Sequence, residues 1–191
     1  MGGGSEPRIT FFEYISVGIA FVVSFGVVRL LDGISHALVR EKRYWPHVLW
    51  IAIKLHNHFM VWWMYWGARD LEWTYATFLA QLSVPVVLYL QASALVTSRP
   101  EAINDWRTHF ASIRRRFFGL NIAYLIGASL FVSFATGDWS MPPAALAATV
   151  VAFAISIVGL LFESHRVQSF LVAIAVIFNT LSIATSLSQP L

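Results

Sequence analysis

Residues 44–67 read YWPHVLWIAIKLHNHFMVWWMYWG. One membrane crossing takes about 20 residues, and Trp and Tyr gather at the two membrane–water interfaces. Tyr44-Trp45 and Trp62-Trp63-Met64-Tyr65-Trp66 therefore mark the ends of a span. Lys54-Leu55-His56-Asn57-His58 falls near its middle. An ionisable side chain at bilayer depth costs about 2.5–3.5 kcal/mol on insertion scales and normally faces a protein interior, a cavity or a proton path. A lysine and two histidines so close together, in a segment otherwise suited to lipid, point to a site.

The rest of the chain agrees with a membrane setting. Hydrophobic residues make up 58% of the 191 residues and charged ones only 12%, about half the charged share of soluble domains. Mean hydropathy is +0.66. Continuous apolar runs of span length recur throughout, which excludes a water-soluble globule and also the alternating pattern of an outer-membrane barrel. The net charge of +3 comes from basic residues in short loops between apolar runs, so no nucleic-acid partner is expected. The chain has no cysteine, which removes disulfides, thiolate metal sites, cysteine nucleophiles and c-type haem attachment. No metal or cofactor is expected. Residues 1–8 read as a flexible N-terminus. Glu6 breaks the myristoylation pattern, and the first apolar run lacks the basic lead and cleavage site of a signal peptide.

The chain reads as a single all-α integral membrane domain over 1–191. Six spans fall at roughly 11–37, 45–67, 73–97, 117–136, 142–162 and 167–188, separated by polar and turn-forming clusters. Arg40, Lys42, Arg43, Arg99, Arg107, Arg114, Arg115, Arg116 and Arg166 occupy the loops on one side, against Arg8 and Arg69 on the other. Arg29 and Lys54 lie inside spans and complete the 13 basic residues. Positive loops stay in the cytoplasm, so both termini are expected on the non-cytoplasmic side of a bacterial inner membrane.

The 98–116 segment carries its own signals. Ser98-Arg99-Pro100-Glu101 has capping-box form with proline in the first turn. Ile103, Trp106, Phe110, Ile113 and Phe117 then form one apolar stripe among arginines. This predicts a basic amphipathic helix on the cytoplasmic leaflet, leading into the fourth span. Gly119, Ala123 and Gly127, and likewise Ala144, Ala148, Ala152 and Ser156, recur every fourth residue and predict close helix–helix contacts.

Helical spacing sorts the intramembrane polar groups. His47, Lys54 and His58 share a face, while His56 and Asn57 point elsewhere. Arg29, Asp32 and His36 share a face of the first span. Asp32 is expected about 12 Å deep and Lys54 about 13 Å deep, which makes Asp32 the natural counter-charge. Gln81 of the third span lies level with His58, Pro85 frees a backbone carbonyl nearby, and Asn179 sits at mid-depth of the sixth. Spans 1, 2, 3 and 6 are therefore expected around a polar centre of Lys54, His58, His56, Asn57, Arg29, Asp32, Gln81 and Asn179.

These residues favour a channel or proton-coupled transporter for a small ion or proton, working as a homo-oligomer in the lipid bilayer. A non-transporting membrane scaffold or accessory subunit is the alternative, followed by a b-type haem or quinone redox subunit. Bis-histidine haem needs ligands on facing helices, whereas His47, His56 and His58 all belong to span 2. No HExxH, GxSxG or paired intramembrane carboxylates are present, so no enzyme activity is expected.

Overall fold

The computed structural model describes residues 10–39 and 41–187. The N-terminal residues 1–8, Arg40 and the end of the last expected span lie outside that range. Six α-helices follow in order: α1 Phe11–Ala37, α2 Trp45–Tyr65, α3 Tyr75–Leu95, α4 Trp106–Thr136, α5 Pro143–Leu161 and α6 His165–Leu187. There is no strand among the described residues.

Local chemistry sets the helix ends. Thr10 and Glu13 form a reciprocal capping box, the Thr10 hydroxyl accepting from the Glu13 N–H at 3.2 Å and the Glu13 carboxylate accepting from the Thr10 N–H at 2.7 Å. Thr74 caps α3 through the Thr77 N–H. Proline occupies the first turn of α2 and of α5, where its missing N–H would have had no partner anyway. Gly137 ends α4 at φ 66°, a left-handed geometry that glycine adopts without a steric penalty.

Five helices, α1, α3, α4, α5 and α6, are long and apolar enough to cross a membrane. Their outward faces carry large apolar side chains such as Phe21, Phe25, Val150 and Phe170, each more than half exposed. That surface suits lipid rather than water, as in an integral membrane protein. Helix α2 is of similar length, but its lysine and histidines set it apart from the five.

Neighbour contacts close a ring in the order α1, α3, α4, α5, α6, α2 and back to α1, with α2 also reaching α3 and α4 across it. The aromatic side chains of Trp50, Trp106, Phe110, Phe117 and Phe118 fill the end of the bundle that carries the arginines. A second apolar cluster joins α1, α2 and α3 toward the other end.

The expected helix start at Ser98 is displaced. The Ser98–Glu101 pattern closes only a single 3-10 turn, Pro100–Ala102. Asp105 is the working cap, accepting from the Arg107 N–H at 3.1 Å and the Thr108 N–H at 3.0 Å. From Trp106 the helix runs unbroken for 31 residues, about 46 Å, well beyond the roughly 30 Å of a hydrocarbon core. Its apolar stripe turns inward: Trp106, Phe110 and Phe117 are buried in protein. Of the small-residue ridges, Gly127 meets Ser83 of α3; outside them, Gly159 meets the Phe118 ring of α4. Gly119 faces open space and Ala144 is exposed.

The cap at Asp105 gives a prediction. Hydrogen bonds from the Thr108 hydroxyl and then from the Arg107 and Thr108 N–H groups hold the Asp105 carboxyl below its ordinary value. A lowered folded-state value stabilises above the unfolded-state value of about 3.9, and the effect fades as pH falls through the folded one. Asp105→Ala should lower stability by about 1 kcal/mol at neutral pH. The difference from the parent should close below about pH 4. Thermal unfolding in detergent at several pH values checks both.

Candidate functional site

Lys54 is 2% exposed on the inner face of α2. Its ammonium donates to the Asn121 side-chain oxygen on α4. The same oxygen accepts from Gln91 Nε2 of α3 at 3.2 Å. Asn121 Nδ2 in turn donates to the Ser156 hydroxyl of α5 at 2.8 Å, and that hydroxyl donates to the Ala152 carbonyl. One short side chain thus links four helices. Lys54 Nζ also lies 5.3 Å from the Tyr124 ring centroid and 5.7 Å from that of Phe117, within cation–π range.

Beside this network lies a cavity of about 250 Å³ between α2, α4, α5 and α6. Lys54, Asn57, Asn121, Tyr124, Asn179 and Ser182 form its polar lining. Trp50, Val151, Ile155 and Phe178 are among the apolar side chains opposite. No acidic residue is among the described residues that line it. Tyr124 also borders a second, smaller cavity of about 60 Å³ that contains Gln81, so one ring separates the two spaces.

The residues expected from sequence scatter around this centre. Lys54, Asn57 and Asn179 line one cavity, and Gln81 lines the next. His58 is fully buried but turned toward α1. Its Nδ1 donates to the Lys54 carbonyl at 2.7 Å, and its ring packs so closely on Gly26 that a methyl group there would overlap it. His56 is half-buried, with Nε2 unpartnered among the described residues. Arg29 donates to the Val96 carbonyl at 3.0 Å, which ties α1 to the end of α3. Asp32 is exposed. The expected Lys54–Asp32 contact is therefore replaced by Lys54–Asn121, and the polar groups gather from α2, α3, α4 and α5 in the network and from α2, α4, α5 and α6 around the cavity, without α1.

Other polar groups hold the frame. Arg114, 3% exposed, donates to the Gly159 carbonyl at 2.8 Å and to that of Leu160, with Glu163 3.9 Å away. Gln168 of α6 donates to the Gly159 and Phe162 carbonyls. Together they satisfy the carbonyls left open at the end of α5. Trp106 donates through its backbone N–H to the Lys42 carbonyl at 3.3 Å and through its indole to the His36 carbonyl at 3.2 Å. His47 stacks on that indole with ring centroids 4.8 Å apart.

The Lys54–Asn121 link can be tested by paired substitution. Asn121→Leu leaves the buried Lys54 and Gln91 donors without their acceptor, at about 1–3 kcal/mol apiece, whereas Lys54→Met removes one bond and leaves the Asn121 oxygen its Gln91 donor. The double variant should lose clearly less than the sum, since it removes both ends of the bond. Asp32→Asn should change stability by no more than about 0.5 kcal/mol. Thermal unfolding of the four proteins in detergent reads all three, and strict additivity would show that the two side chains do not interact. Comparison of the chain with protein-family models, with curated proteins and with solved structures finds no match, so its functional reading rests on the chemistry of this cavity.

Proposed function

We propose that the chain is a small-anion transport protein, a channel or proton-coupled carrier of a bacterial inner membrane, with the Lys54 cavity as its binding station. The observation that carries this reading is a buried lysine opening on a cavity whose lining contains no carboxylate. Basic groups at depth attract anions, and no acid among the described residues lines the cavity to compete for the charge. In this reading α2 is the sixth span, with Phe59, Trp62 and Met64 turned outward to lipid and Lys54 and His58 turned inward. The arginine-rich end faces the cytoplasm and both termini face away from it, by the positive-inside asymmetry. The lining residues run from Trp50 to Asn57 on α2 and from Asn121 to Leu125 on α4. Those residues lie near the middle of the bundle, and Trp50 joins the cavity to the aromatic packing of the basic end.

His58 gives the proposal its pH dependence. Protonation places a second positive charge one turn from Lys54, so occupancy by an anion and protonation of His58 favour each other. Flux should rise as pH falls, and His58→Gln should flatten that response.

Purified protein in proteoliposomes provides the test, with chloride, nitrate, potassium and proton fluxes measured at two pH values. Anion flux is expected, and Lys54→Met should reduce it at least tenfold. Potassium flux without anion flux would overturn the anion assignment. Absence of any flux would leave a membrane scaffold as the reading.

A further inference from the structure

The cavity is amphiphilic, and that narrows its ligand. We infer that it binds a small monocarboxylate, a carboxylate group on a compact apolar body, with the carboxylate on Lys54 and the apolar part against Trp50, Val151, Ile155 and Phe178. The inference rests on the anion reading of the same cavity and adds the class of anion.

Hydrogen-bond supply supports it first. An ammonium group has three donors, and among the described residues Lys54 uses one of them, in its bond to Asn121. Lys54 borders the cavity. A buried ammonium with donors to spare calls for a ligand rich in acceptors, and a carboxylate offers about four lone-pair sites. The side-chain amides of Asn57 and Asn179 add further donors to the lining.

Shape and wall chemistry support it next. The volume of about 250 Å³ falls just below the roughly 300–1,000 Å³ of sites for drug-sized ligands, which points to a guest of about ten non-hydrogen atoms. A lone halide would cover the lysine and leave the apolar walls facing empty space. A neutral hydrocarbon would cover the walls and leave the donors unpaired. Only a molecule with both parts matches both surfaces, and its apolar part would gain from leaving water. The carboxylate could belong to a free small acid or to the head of a long-chain fatty acid. The volume of about 250 Å³ favours the small acid.

Calorimetric titration of the full chain in lipid nanodiscs tests this with three probes: benzoate, its uncharged analogue benzamide, and decanoate. Benzoate should bind at one per chain, with benzamide at least tenfold weaker and decanoate weaker still. Lys54→Met should weaken benzoate at least tenfold. If that variant fails to fold, Ala175→Leu decides: it fills the cavity from α6 without touching the Lys54–Asn121 bond, and it should abolish benzoate binding while the thermal transition is kept. Equal affinity for benzoate and benzamide would overturn the proposal. So would benzoate binding that survives Ala175→Leu, or tighter binding of decanoate. Chloride flux in proteoliposomes without benzoate binding would sink this inference and leave the anion pathway standing. Benzoate binding without any anion flux would do the reverse.

Discussion

The side-chain oxygen of Asn121 accepts hydrogen bonds from Lys54 on α2 and Gln91 on α3, while its amide donates to Ser156 on α5. In an apolar interior each of these groups would be costly to leave unpaired, and the low dielectric strengthens the bonds they make. The network therefore fixes the rotation and height of α4 against three neighbours at once. Apolar packing is tolerant of small slips along a helix. A shared acceptor is not, because a slip of one residue turns it to another face. The cavity owes its definition to this joint, since the same asparagine that anchors the lysine also lines the space beside it.

The basic end of the bundle is closed by a different device. Arg114 and Gln168 bring side-chain donors from α4 and α6 to the last carbonyls of α5, a favourable place for a cation because those carbonyls carry the negative end of the helix dipole. Trp106 reaches back to the His36 carbonyl at the end of α1 and to the Lys42 carbonyl of the α1–α2 connection. With Trp50, Phe110, Phe117 and Phe118 filling the space between, this end is densely packed. The polar space lies further along the same helices. Rigid support at one end and an open chamber beyond it is a sound arrangement for holding a site in fixed geometry.

Much of the architecture could be read from the chain. Apolar runs separated by turn residues located the helices closely: the run at 142–162 became α5, Pro143–Leu161, and the one at 11–37 became α1. Lys54 stood out because a lysine in such a setting is expensive. Its partner did not. Periodicity tells which residues share a face of one helix, but not which helix that face meets, and depth arithmetic pointed to Asp32 as the acid level with Lys54. Arg114 was legible in principle, since it lies four residues after Phe110 and three before Phe117 and so falls on their buried stripe. Set beside Arg115 and Arg116, it looked like one more surface cation. The start of α4 was misplaced because two capping signals lie close together, and only Asp105 has its acceptor oxygens within reach of free N–H groups.

The contact between Gly26 and His58 has a consequence for sequence divergence. The imidazole occupies the space where a β-carbon at position 26 would stand, so the two positions cannot drift independently. Any chain of common descent that carries alanine or serine at position 26 is expected to carry a smaller side chain than histidine at 58, or to part α1 from α2. Glycine at 26 combined with a residue other than histidine at 58 would instead leave a void at that crossing. The pair should thus change together, and reading these two columns side by side would separate chains that keep this α1–α2 seat from those that keep only the overall pattern of helices.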